Sequence, residues 1–383
     1  MGLQRKNKAI ILKRADFEIF CLIKEGLLGA CTHLMTKKQV KELKDNHNNL
    51  NGCFYPYVLS YCASETSLKG IDIGDSVDLI CDKKVVGTLK ISDKFKDNSC
   101  IESIFSSQSC DIGERVFLGG EFELFSSHIK HKKEEFLKLK KDLNAQVTTA
   151  LVMSLDPLHR GHEHILRWSI DKADLVVIFL IESYEPSGFE FDLKLAYTKE
   201  FISKYISKDR VFIFDLKNID IFHAHLNPML EASIASALGC MKLVVGQTHT
   251  GLGTYYDKNR PYTLLDDCMK EYNLQVLVLP ELVYCEECTA LVSVKSCPHG
   301  AHHHLKFNAR ALKQLLKIGI IPPPVFMRRE ISISILEKLF PNRFKNLQNL
   351  YNELFTTYGI IEEKSDREFY EELLRIYELK YIV

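Results

Sequence analysis

The chain has 383 residues, 46% of them hydrophobic and 26% charged, which is too long for one small core and implies two or three domains. Lysine plus arginine total 50 and aspartate plus glutamate total 50, so no net field gathers nucleic acid or an anionic membrane, and a small-molecule partner is expected instead. No apolar run approaches the roughly 20 residues of a membrane helix, and the start MGLQRKNKAIILKR lacks a leader's apolar stretch, so the expected location is cytoplasmic.

From Lys8 to about Ser127 the short runs AIILK, YPYVLSY, SVDLIC, VVGTLKIS and RVFLGGEFELF alternate with turn signals, which predicts a small β-barrel or roll with one or two helices. The lysine-rich stretch HIKHKKEEFLKLKKDLN that follows has the pattern of a solvated connecting helix.

The rhythm then changes. In TTALVMSLDPLHRGH, Thr148 to His162, an apolar run reads as a buried parallel strand that Asp156-Pro157 turns into a helix. Pro157 has the fixed φ of a first helical turn, and His159 and His162, three apart, share one face of it. Unpaired backbone N–H groups there attract phosphate oxygens, and two imidazoles beside them can donate hydrogen bonds to a triphosphate. The runs DLVVIFLI, RVFIFDL, KLVVGQ and QVLVLPEL are continuous in the manner of strands buried on both faces. Helical patterns lie between them near 161–172, 190–206, 227–239 and 262–272. The prediction is an α/β fold with a Rossmann-like parallel sheet and ligands at the carboxyl ends of its strands. A glycine-rich loop, Gly246 to Gly253, leaves one such end.

Most of the 12 cysteines stand alone, as in a reducing compartment, but Cys285-x2-Cys288 is followed by Cys297 and by His299, His302, His303 and His304. Three cysteines and a histidine make a tetrahedral structural Zn2+ site. His302 is expected as the fourth ligand, because two residues from Cys297 to His299 leave little chain to wrap the ion. FNARALKQLLKIGIIPPPVF then reads as a helix with a proline stop, and the remainder as two or three short amphipathic helices that pack on the body or on another subunit of a homo-oligomer.

Together these pieces resemble the ATP sulfurylase (sulfate adenylyltransferase) family of the HxGH-type nucleotidyltransferases. PLHRGH resembles the family's PLHRAH, VGQTHTGLGTYY its VGRDHAGxGxxY, and HLKFNARALKQLLKIGIIPP its HLxxSGTxxRxxLxxGxxPP. DFEIFCLIKEGLLGA with the strands that follow resembles its N-terminal PUA-like barrel. The resemblance implies a PUA-like domain with connecting helix over 1–145, a Rossmann-like catalytic domain with the zinc segment over 146–304, and a small helical C-terminal domain over 305–383. It also implies that His159 and His162 contact the phosphates of ATP, with Arg160 as an auxiliary cation and Leu158 on the same nucleotide-side loop. Gly246, His249 and Gly251 would hold the adenosine, and Arg310 and Lys313 would reach the triphosphate from positions where the family has threonine and arginine. Mg2+ would ride with the nucleotide.

The sulfate side departs from the family. Its Gln-x-Arg-Asn is here Met153-Ser154-Leu155-Asp156, and the arginine of its glycine loop is Gln247. Two guanidinium groups that would replace the hydration of a dianion are thus missing. At about 1.5 to 3 kcal/mol for each charge-assisted bond, the loss amounts to roughly two to four powers of ten in sulfate binding. The expected function is nucleotidyl transfer, with release of pyrophosphate, to a small anionic acceptor other than ordinary sulfate, met by Met153, Leu155, Gln247, His223 and His225. A true sulfate adenylyltransferase with a rebuilt anion site and a catalytically silent nucleotide binder are the alternatives.

Overall fold

The computed structural model describes residues 8–96, 103–105, 115–183, 186–219, 221–222, 227–246, 272–341, 343–344, 346–355 and 363–377. The chain forms β1 (Ala9–Ile11), α1 (Arg14–Lys24), α2 (Lys37–Asp45), β2 (Asn49–Leu50), β3 (Cys53–Phe54), β4 (Tyr61–Ser64), β5 (Ser76–Cys81), β6 (Lys84–Phe95), β7 (Arg115–Leu124) and α3 (His128–Asp142). There follow β8 (Thr148–Met153), α4 (Arg160–Ile170), β9 (Leu175–Leu180), α5 (Phe191–Tyr205), β10 (Val211–Asp215), α6 (Asn227–Ala237), β11 (Lys242–Gly246) and β12 (Gln275–Leu279). The last part holds β13 (Leu282–Cys285), β14 (Ala290–Ser293), β15 (His304–Lys306), α7 (Ala309–Lys317), α8 (Arg329–Leu339), α9 (Leu347–Leu354) and α10 (Asp366–Tyr377). The chain divides into two compact units. One comprises Met1–Met153, Lys172–Tyr184 and Phe212–Leu279, and the other Ser154–Asp171, Glu185–Val211 and Pro280–Val383.

In the first unit β1-β5-β6-β7-β4 form a five-stranded sheet. The expected barrel is replaced by an open sheet, with β1 and β4 as its edges among the described residues. YPYVLSY supplies only the start of β4, at Tyr61, since Pro56 can donate no ladder hydrogen bond. Phe20 of α1 anchors the core with its ring 4.9 Å from Phe122 and 5.1 Å from Phe105. Where β6 crosses β7 the register slips between Ile91 and Asp93. Gly119 and Gly120 sit opposite that bulge, and a Cβ on Gly120 would lie 2.0 Å from the Lys90 carbonyl oxygen. The connecting helix α3 buries only Ile129 and Phe136, as its lysine-rich sequence predicts.

The second sheet of this unit is β10-β9-β8-β11-β12. Thr148 to Met153 pair in parallel with Leu175 to Leu180, and Lys242 to Val244 with Thr149 to Leu151. All six residues of β9 are buried, which explains why these strands read as unbroken apolar runs rather than alternating ones. The strand order reverses between β8 and β11, the topological switch of an open parallel sheet. PLHRGH follows β8 in the chain and the glycine-rich stretch follows β11. One buried cluster runs through both sheets, from Ile10 to Leu274.

The second unit holds α4, α5, the three-stranded sheet β14-β13-β15 and helices α7 to α10. Glu200 on α5 accepts hydrogen bonds from Arg367 of α10 at 2.5 Å, from Lys204 at 2.7 Å and from the Ser334 hydroxyl of α8. Burial raises its pKa, but these donors outweigh burial and hold it at about 2. The helical tail is therefore tied by charge to the body of its unit.

Gly120→Ala is expected to lower stability by about 3 kcal/mol, because the backbone oxygen it meets cannot yield as a side-chain end would. The urea midpoint is the readout, and a variant within about 0.5 kcal/mol of the parent would show that the bulge relaxes freely.

Candidate active site

After β8 the chain turns on Leu155, whose φ of +47° is a left-handed conformation that a leucine adopts only when its surroundings hold it there. The buried Tyr197 hydroxyl donates to the Leu155 carbonyl. Burial, with the Asp156 charge nearby, pushes the Tyr197 phenol well above its ordinary range, so it stays a donor. The next residue, Asp156, accepts the Phe189 N–H at 3.0 Å through Oδ1 and the Lys313 ammonium at 2.7 Å through Oδ2. Both side chains of that ion pair are nearly dry, 6% exposed for Asp156 and 5% for Lys313. The Asp156–Pro157 bond is cis.

His159 is the N-cap of α4, a position usually taken by serine, threonine, aspartate or asparagine. Its Nδ1 accepts the His162 N–H at 3.4 Å, and the Nδ1 of His162 accepts the His159 N–H at 3.4 Å, a reciprocal capping box built from two imidazoles. The rings stack with centroids 3.7 Å apart, and Phe307 stacks on His159 at 5.4 Å. A Cβ on Gly161 would sit 3.1 Å from the His159 ring, a tight contact that the ring would relieve by moving a few tenths of an ångström. Burial, then the neighbouring imidazole, drives His159 well below the usual histidine range, and burial brings His162 down to about 4. Both are neutral at pH 7. With each Nδ1 accepting, the proton of each neutral ring sits on Nε2, which can donate to an anionic oxygen.

One turn on, Glu163 accepts Arg328 through Nε at 2.9 Å and Nη2 at 2.6 Å, Arg167 at 3.0 Å and Arg160 at 3.1 Å. Burial raises its pKa, but the hydrogen bonds from Arg328 and Arg167 prevail and bring it to about 2. Arg160 also donates to the Pro324 carbonyl at 3.2 Å. Its guanidinium clamps α4 to the proline segment while 30% of the side chain stays exposed.

The other expected residues are placed unevenly. Leu155 and Leu158 are buried, 2% and 3% exposed, so neither presents its side chain to solvent. Met153 closes β8, half-buried, and Gly246 closes β11 with open space where a Cβ would stand. Arg310 and Lys313 line a cavity of about 460 Å³ with Pro186, Ser187, Gln314 and Lys317. His223, His225, Gln247, His249 and Gly251 lie outside the described residues. Sequence reasoning missed Tyr197, Glu163 and Arg328. It also missed the Asp156–Lys313 pair, although opposite charges at two positions where the family has asparagine and arginine were a usable signal.

The cysteine cluster is assembled by the hairpin of β13 and β14. Cys285 ends β13, and Cys288 in the turn donates its backbone N–H to the Cys285 sulfur at 3.5 Å. The fourth member is His299, a correction to the expected His302. The His299 Nδ1 lies 3.4, 3.2 and 3.5 Å from the sulfurs of Cys285, Cys288 and Cys297. His302 instead packs on His303, ring centroids 4.0 Å apart. Nδ1 is the ring nitrogen nearer the backbone, so a short link suffices where Nε2 would overreach. The Cys288–Cys297 sulfur separation of 3.8 Å equals the edge of a tetrahedron with metal–sulfur bonds of about 2.3 Å. The four groups therefore fit a tetrahedral metal ion.

The neutral histidines give a pH signature. An unfolded chain protonates histidine near pH 6.5 while folded His162 resists down to about 4, so the unfolded state binds more protons in that window. Stability is complete above pH 6.5 and falls as the pH drops toward 4, by about 3 kcal/mol for this ring. Urea unfolding between about pH 7.5 and about pH 4.5 should show the fall, and His162→Gln should make it shallower while leaving the part that His159 contributes. Equal slopes in both proteins would mean the ring is open to water.

Comparison with known proteins agrees with this geometry. A family model for ATP-sulfurylase matches residues 127–338, more than half of the chain. A sulfate adenylyltransferase of Psychrobacter sp. (strain PRwf-1) is 27% identical over 306 residues, 73% of this chain and 72% of the relative. One from Chloroflexus aurantiacus is 24% identical over 327 residues, 80% of this chain and 83% of the relative. A structure described as a hexameric APS kinase from Thiobacillus denitrificans superposes with a TM-score of 0.66 at 17% identity. It covers 88% of this chain, which spans 64% of that chain's length, and the likeness speaks for the α/β fold alone. With PLHRGH and the cysteine cluster both inside the matched stretch, the chain belongs to the ATP-sulfurylase family of nucleotidyltransferases.

Proposed function

We propose that the chain transfers an adenylyl group from ATP to a small anionic acceptor and releases pyrophosphate. The observation that carries this reading is the pair of stacked histidines at the start of α4, His159 buried and His162 half-buried, both neutral at pH 7, each with Nδ1 engaged and Nε2–H left as donor. An acceptor oxygen attacks the α-phosphorus and forms the new P–O bond. The bond from that phosphorus to the β-phosphate bridging oxygen breaks, and its electron pair leaves with pyrophosphate. Charge grows on the departing phosphates, where two fixed Nε2–H donors stabilise it without reorganisation. The helix N-terminus adds its partial positive charge. Mg2+ carried in with the nucleotide would neutralise part of the triphosphate charge. In this reading Arg310 would serve the triphosphate, Gly246, His249 and Gly251 the nucleoside, and Gln247, His223 and His225 the acceptor. The open N-terminal sheet is the counterpart of the PUA-like module, and the cysteine cluster holds a structural Zn2+.

The acceptor is the finer part of the proposal. Where the family resemblance implies a sulfate-holding arginine, Leu155 offers no donor and is 2% exposed. Asp156 beside it is neutralised by Lys313. A carboxylate or phosphate-bearing metabolite with further hydrogen-bonding groups suits that environment better than bare sulfate. Sulfate itself, held by other groups, is the second reading, favoured by the relatives named sulfate adenylyltransferase.

Pyrophosphate release from ATP, CTP and GTP with sulfate, molybdate and a panel of phosphorylated and carboxylated metabolites tests the proposal. Turnover is expected with ATP and a panel metabolite. Ordinary rates with sulfate would select the second reading, and silence together with no nucleotide binding would reject transfer altogether. His159→Ala should reduce kcat by about 100- to 1,000-fold, the usual effect of losing one transition-state donor. Survival of turnover in that variant would remove the histidine pair from the mechanism.

Metal analysis of the purified protein should find about one zinc per chain. His299→Ala and Cys288→Ser should lose it, and His302→Ala should keep it. Loss of zinc in the His302 variant alone would overturn the ligand set.

A further inference from the structure

We infer that Asp156 and Lys313 form a single positioning device. The buried pair fixes the loop that delivers His159, and Lys313 acts on the reaction through that loop without touching a ligand. This inference rests on the proposed nucleotidyl transfer. The family resemblance places an asparagine at the first position and an arginine at the second, and it assigns the loop an anion to hold. Here both positions change together to opposite charges, and the two side chains meet at 2.7 Å though 157 residues apart in sequence.

The geometry gives each partner a fixed place. Asp156 cannot swing toward an incoming ligand, because its other carboxylate oxygen accepts the Phe189 N–H at 3.0 Å. Lys313 stands on α7, whose start is fixed by the Asn308 side chain accepting the Ala311 N–H at 3.1 Å, with Leu312 and Leu316 buried on either side of it in sequence. Directly before Asp156, Leu155 is held in its left-handed turn by Tyr197. Three residues after Asp156 comes His159, whose ring position depends on where the cap begins. A loop containing a left-handed leucine and ending in a two-histidine cap needs an anchor on each side. The Tyr197 bond is one and the Lys313 bond is the other. With so little exposure, neither charge of the pair has water to fall back on, so removing one partner strands the other and displaces the loop.

A double-mutant cycle on the full chain tests this. Asp156→Asn and Lys313→Met are each expected to lower kcat about tenfold or more with the KM for ATP changed less than about threefold, and the double variant should recover to within about threefold of the parent because no buried charge is left alone. A Lys313→Met variant whose KM for ATP or acceptor rises about tenfold, with no recovery in the double variant, would show that Lys313 contacts the ligand and would overturn the inference. Single variants with parental kcat would overturn it as well. Should the parent protein transfer no nucleotidyl group, that failure belongs to the proposed function. The pair is then judged by 15N signals of the His159 and His162 rings and by urea midpoints. Both should shift in each single variant and return in the double, and ring signals unmoved by either single variant would refute positioning.

Discussion

Two imidazoles stacked face to face at the first turn of a helix, one of them buried and the other half-buried, cannot both carry a proton, and their surroundings make it unfavourable for either to do so. At a ring separation of 3.7 Å a second positive charge would meet the first with almost no water between them. The neighbourhood of α4 follows from satisfying that demand. Each ring nitrogen that faces the backbone takes an N–H from the other histidine, Gly161 adds no Cβ beside the His159 ring, and Phe307 stacks on His159. In the flanking sequence the charges are paired, Glu163 with its arginines and Asp156 with Lys313.

Neutrality has a chemical use on the proposed reading. A triphosphate with its metal arrives with much of its charge already offset, and two imidazolium ions would bind ground state and transition state alike. Neutral Nε2–H donors held in one direction gain most when charge accumulates on the departing phosphates. The cost of holding them is borne by folding, which is why burial of the rings, the strained turn at Leu155 and the fixed cap occur together.

Some of this was legible in the sequence and some was not, for physical reasons. Continuous apolar runs announce strands covered on both faces, so β8, β9, β11 and β12 stand close to where the sequence predicts them. The spacing of the two histidines also places both on one face of the first turn, where their rings stack. Alternation, in contrast, looks the same in a closed barrel and in an open sheet, since closure depends on which edge strands meet. Chain length alone points to His302 as the fourth member of the cysteine cluster, whereas the ring nitrogen nearer the backbone lets His299 reach the three sulfurs. The Asp156–Lys313 pair spans 157 residues, a distance over which local pattern carries no information.

On the proposed reading, the acceptor side is shaped by the residues just before that pair. On that reading, a leucine at position 155 in place of a guanidinium adds no hydrogen bond, and its burial removes it from the surface. A bare dianion would then surrender its hydration with little given in return, because strong recognition of such ions depends on forked, charge-assisted donors. A larger acceptor differs in kind. It can bring apolar surface and additional hydrogen-bonding groups, so its binding draws on its whole body rather than on one charged end. On the proposed reading, the stripped anion cradle is therefore a change in what is recognised, while the phosphate-handling turn at α4, with its histidines still capped, stacked and neutral, keeps the machinery for transfer.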